Sequence, residues 1–68
     1  MTPDQSKREI QRRYDLMVDR SINGEVSPGA PHRVAEGMAM EAARHHGIPE
    51  AWRNFMPKNA VTTEQESK

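Results

Sequence analysis

Cysteine is absent from this chain, which removes two ways of holding a small protein together, a disulfide framework and a thiolate-bound metal. Aromatic residues are almost as scarce. One Tyr, one Trp and one Phe occur in 68 residues, so a core or a grip built on rings has only Tyr14, Trp52 and Phe55 to use. Leu16 is the single leucine, and although hydrophobic residues make up 34% of the chain, seven of them are alanine. No apolar run approaches the ~20 residues that a membrane-spanning helix requires, and the opening MTPDQSKREIQRR has no apolar stretch of the secretory-signal kind. Neither sign of charge is in excess: ten basic residues face ten acidic ones. Generic nucleic-acid affinity comes from neutralising phosphates and shows as a net basic domain, so a balanced chain must rely on a local patch. These absences predict a cytoplasmic protein of at most one domain, with no membrane partner.

What remains is little core material. A domain of this size buries only about 60% of the surface its unfolded chain exposes. Without a staple, area burial and chain entropy nearly cancel. The sequence therefore predicts stabilisation by a larger protein partner or by a second copy.

The pattern that is present is helical throughout, and the fold class expected is all-α. Thr2-Pro3-Asp4-Gln5 has the form of a helix start, with Thr as N-cap, Pro in the first turn and Gln at the capping-box position. A long helix 1 is expected from Pro3 to about Ile22, with Ile10, Tyr14, Met17, Val18 and Ile22 on one line and Asn23-Gly24 as the stop. Glu25 to Ala30 reads as a loop, and Ser27-Pro28 leaves open whether the next helix starts at Pro31 or a turn earlier. In that medium helix 2, Val34, Ala35, Met38, Ala39 and Ala42 form the apolar stripe, Met40 lies off it, and Gly47 followed by Pro49 ends it. Trp52, Phe55 and Met56 recur at i, i+3 and i+4 and predict a short, Trp-bearing helix 3 folded across the open end of an antiparallel pair. Residues 1–57 form the expected domain, and 58–68 read as a disordered tail.

Reactive chemistry is thin. His45 and His46 are adjacent and so point about 100° apart on a helix, while His32 belongs to its other end, which gives no chelating set and no metal. Two histidines near a helix C-terminus favour the dipole instead. There is no Gly-rich phosphate loop, no Cys nucleophile and no metalloprotease His-Glu spacing, and Asp15 and Asp19 sit among arginines as a solvated face. No enzyme activity, cofactor or small-molecule substrate is expected.

Two surfaces compete as binding sites. One is the set Tyr14, Met17, Met40, Trp52, Phe55 and Met56, because Met adapts to partner surfaces and aromatics are enriched at hot spots, although Trp52 and Phe55 also read as core that closes the helix pair, and the sequence leaves open whether they point inward or outward. The other, the less favoured, is the basic set Lys7, Arg8, Arg12, Arg13 and Arg53, with Glu9, Asp15 and Asp19 interrupting the cluster on helix 1.

Ala42 to Pro49 resembles the tight turn of a helix-turn-helix, a small residue with Gly four positions later and then an aliphatic residue, although the helix after it is short. His32 to Glu36, with Ile48-Pro49 and Trp52 following, resembles the C-terminal half of the Hha family, small enterobacterial and plasmid proteins that bind a nucleoid-structuring silencer protein; the spacing to the Trp differs here. The order of a long helix, a Pro-led helix with Ala35-Glu36 and a Pro49-Glu50-led helix with Arg53 is similar to the theta subunit of bacterial replicative polymerase, with the lengths of the last two helices reversed. Both resemblances imply a small helical protein that docks onto something larger. The expectation is a non-catalytic adaptor or regulator of bacterial, plasmid or phage type, with a DNA-binding regulator as the alternative.

Overall fold

The computed structural model describes residues 1–58 and 60, and among them every regular element is helical. Helix α1 spans Pro3–Ile22 and starts as its sequence dictates: the Gln5 amide donates to Thr2 Oγ1 at 3.2 Å, and the Thr2 amide donates to Gln5 Oε1 at 2.9 Å. That reciprocal pair satisfies two backbone donors left over at a helix start. The stop is equally well specified. Gly24 takes φ +79°, its amide donates to Ser21 at 3.0 Å, and the Glu25 amide reaches back to Arg20 at 2.8 Å. This double bond closes off the last carbonyls and needs a left-handed residue, which Gly supplies without strain.

Helix α2 spans Ala30–His45 and ends in the same motif. Gly47 has φ +76°, its amide donates to Arg44 at 3.1 Å, and that of Ile48 donates to Ala43 at 2.8 Å. Its beginning, open in the sequence, is resolved as Ala30, whose amide donates to the Ser27 carbonyl across the Pro28-Gly29 turn at 3.0 Å. No side chain caps this end.

The third element departs from expectation. Pro49–Phe55 is a seven-residue 3-10 helix, η1, interrupted at Ala51 by a non-helical φ of −102° and ψ of 24°. Met56 lies beyond it in extended conformation. The i, i+3, i+4 spacing therefore does not put Trp52, Phe55 and Met56 on one α-helical face. A tighter helix is the usual form for a segment this short between two prolines.

Helix α2 is central, packing against α1 and against η1, which scarcely touch each other. Contact from both sides explains its buried stripe. Ala35, Ala39 and Ala43 are all fully buried, one helical turn apart, with Pro31 buried a turn earlier. Ala35 and Ala39 are thus buried as expected, but Ala43 rather than Ala42 is the end of the stripe, and Val34, Met38 and Ala42 are half-buried along its edge. Alanine lets neighbouring backbones approach closely but buries little area, so the larger contributors are Ile10 from α1 and Phe55 from η1. Met56 and Ala60 complete the cluster. Packing therefore continues past Pro57. Lys58 and Ala60 are helical and Ala60 is fully buried; the other residues of the expected tail lie outside those described.

Candidate docking surface

Ser6 and His46 fix the end of the molecule where α1 begins and α2 finishes. Their Oγ and Nε2 atoms share a hydrogen bond of 3.1 Å, and Ser6 is 6% exposed. The His46 ring stacks on Phe55 at 5.8 Å between centroids, tilted by 3°, and meets His45 edge-on at 5.1 Å. A hydroxyl against an imidazole is the beginning of a nucleophile and base pair. Among the described residues, however, no carboxylate bonds the other ring nitrogen. The pair ties two helices together. No group of three or more metal-ligating side chains occurs among the described residues. His32 meets Glu36 one turn away at 3.6 Å.

Of the six residues expected to meet a partner, the structure divides the set. Phe55 and Met56 belong to the core, 2% and 9% exposed: beside an alanine stripe, these are the side chains bulky enough to fill the space. Tyr14 and Trp52 are half-buried and pack on that core, and Met17 is half-buried on α1. Met40 is 41% exposed. Trp52 is also covered on one face by the Arg53 guanidinium, 5.4 Å from the ring.

The basic set is divided between α1 and η1, and Lys7 and Arg8 line one hollow together with Lys58. Lys7 holds its ammonium 5.9 Å from the Phe55 ring centroid, and Arg53 is on η1 over Trp52. Arg8 and Arg12 share a shallow hollow with Glu9, and Arg13 is exposed on the same helix. A short, kinked 3-10 helix is also the wrong shape for a recognition helix in a major groove.

The feature that sequence reasoning missed is a groove of ≈ 440 Å³ between the start of α1 and the end of α2. It is lined by Met1, Ser6, Glu9 and Ile10 from the N-terminal side and by Met38, Glu41, Ala42 and His45 from α2. Periodicity places Ile10, Met38 and Ala42 on the apolar lines of their helices but does not reveal that a groove opens between them. Leu16, off the apolar line of helix 1 in the sequence, is 44% exposed and Ile48 38%, while Ile22, expected on that line, is 76% exposed. Among the described residues, no helix is long and apolar enough to cross a membrane.

No protein-family model, curated protein or solved structure matches the chain.

Proposed function

We propose that this chain is a small non-catalytic adaptor or regulator that works by docking a helix face onto a larger protein or onto a second copy of itself. The observation that supports this reading most directly is where its few large apolar side chains stand. Phe55 and Ile10 are the largest fully buried ones, while Leu16, Ile22, Met40 and Ile48 are exposed. Single exposed hydrophobics are ordinary on a protein surface. Here they include the only leucine and two of three isoleucines, in a chain short of core material. Such a protein gains more from covering that surface than a well-filled domain would.

Sedimentation across a range of concentrations, with direct titration of any co-purifying partner, tests the proposal. Met40→Lys, at an exposed position, weakens the association, and Trp52→Ala does so as well; Arg8→Ala leaves it nearly unchanged. A chain that stays monomeric at every concentration and binds no partner defeats the reading.

A further inference from the structure

We propose that a hollow between the first half of α1 and the end of η1 binds a phosphoryl dianion. Lys7, Arg8 and Gln11 line it from α1, Asn54 from η1 and Lys58 from the segment that follows, around ≈ 290 Å³. Gln11 stands one turn beyond both Lys7 and Arg8, so the three share a face of the helix. Three positively charged side chains thus converge, and no acidic one lines the space. The chain has ten acidic residues and no net charge, so this is placement and not composition. Arg8 also borders a second hollow, and there Glu9 accompanies it. Among the described residues, neither Lys7 nor Arg8 has a carboxylate within ion-pair distance. Gathering like charges is unfavourable, and an entering anion offsets that repulsion.

The donors present select the kind of anion. Arg8 offers a planar fork of N–H groups that suits phosphate or carboxylate oxygens, and Lys7 offers a compact ammonium. That ammonium lies 5.9 Å from the Phe55 ring centroid, a contact that keeps an exposed side chain beside the hollow. Asn54, also exposed, adds a neutral carboxamide. Gln11 already donates to Asp15 at 3.0 Å and is not counted among the donors. A carboxylate brings one negative charge. A phosphomonoester brings about −1.5 to −2 at pH 7 with three strong acceptor oxygens, which matches three cations better. A phosphodiester carries a single charge and has two oxygens committed to its chain, so a duplex backbone is the poorer ligand. The hollow is at the small end of ligand clefts, about 300–1,000 Å³, and suits the phosphoryl group with little attached. This inference goes beyond the docking reading and does not depend on it.

The test is titration of the full chain with inorganic phosphate at low salt and about pH 7.5, where phosphate is mostly dianionic, read by amide NMR shifts and calorimetry. Saturable shifts confined to the amides around Lys7, Arg8, Asn54 and Lys58 are expected, with tighter binding than acetate shows and a loss of affinity as sodium chloride is raised. Lys7→Gln and Arg8→Gln, at exposed positions, keep their helix content by circular dichroism and each weaken phosphate binding by about tenfold or more. Arg13→Gln, exposed on the same helix but outside the hollow, leaves it nearly unchanged. A neutral peptide with one phosphoserine, run beside its unphosphorylated form, separates the sources of the group. Binding equal to that of phosphate assigns the hollow to free phosphorylated compounds, and tighter binding assigns it to a phosphorylated partner. Phosphate bound no more tightly than acetate overturns the proposal. So do shifts spread evenly over Arg12, Arg13 and Arg20, the mark of general screening, and binding that survives both glutamine variants on α1. Each of these leaves the docking reading standing, because sedimentation and the Met40 and Trp52 variants decide that one.

Discussion

Ser6 Oγ and His46 Nε2 lie 3.1 Å apart across 40 positions of sequence, and this contact joins the first turns of α1 to the last of α2. Its partners differ in environment: Ser6 is buried, whereas His46 is half-exposed with its ring flat against Phe55. Removing the hydroxyl costs a net hydrogen bond, about 1 kcal/mol, while alanine returns part of that as helix propensity. Ser6→Ala should therefore destabilise only slightly. The coupling is better isolated by a double-mutant cycle with His46→Ala in urea unfolding, where about 0.5–1.5 kcal/mol is expected. A coupling near zero would mean that the two side chains only happen to be adjacent.

Phe55 and Trp52 should separate sharply. A chain this long has about 3–10 kcal/mol of total stability at 0.05–0.15 kcal/mol per residue. Phe55 is 2% exposed, and truncating a buried Phe to alanine costs about 3–5 kcal/mol. Phe55→Ala should lose most of its ellipticity at 25 °C. Trp52→Ala, at a half-buried ring that still meets solvent, should stay folded with a lowered urea midpoint. The reverse order would contradict the core described above.

Three glycines make a graded experiment in backbone conformation. Gly24 and Gly47 have φ +79° and +76° with open space where a Cβ would go, so the cost of alanine there is conformational, about 1–2 kcal/mol. Gly37 lies within α2, also with nothing within 4 Å of an added Cβ. Gly37→Ala should therefore stabilise by about 0.5–1 kcal/mol. Thermal unfolding of the three variants should give one rise and two falls in Tm.

Those glycines also mark how much of the fold was legible. Helix ends are written locally, in the side chain of Thr2, the amide of Gln5 and the left-handed residue after each helix, and all appear where the sequence places them. Helix phase is written less securely when the stripe is alanine. Ala42 and Ala43 are chemically identical, and which is buried depends on η1 approaching from one side, a relation that no local pattern carries. The same is true of the surface. The juxtaposition of Glu9 with Glu41, or of Ser6 with His46, exists only once α1 and α2 lie side by side.

That phase can be tested directly. Ala43 is fully buried, and inserting a leucine there overpacks the junction of α2 with its neighbours at a cost of about 1–3 kcal/mol. Ala42 is half-buried and lines the groove, where a leucine extends into open volume. Ala43→Leu should fall in urea midpoint and Ala42→Leu should not. If Ala42→Leu is the more damaging, the stripe follows the simpler helical spacing after all.

Nucleic-acid binding gives the last prediction, because the adaptor and regulator readings expect opposite outcomes. Phosphate binding by Z cations falls with salt at a logarithmic slope of about −0.9Z on duplex DNA. A patch made of Lys7, Arg8, Arg12, Arg13 and Arg53 would act as several cations together. Lys7 and Arg53 are instead each drawn over a ring, Glu9 stands in the hollow with Arg8 and Arg12, and the chain is neutral overall. Fluorescence anisotropy with a mixed-sequence duplex at about 50 mM salt, where binding by such a patch would be strong, should show no saturable association, and a rise to 200 mM should change nothing. A saturable curve at low salt that collapses at the higher concentration would instead require the arginines of α1 to act in concert, and would place the regulator reading ahead of the adaptor.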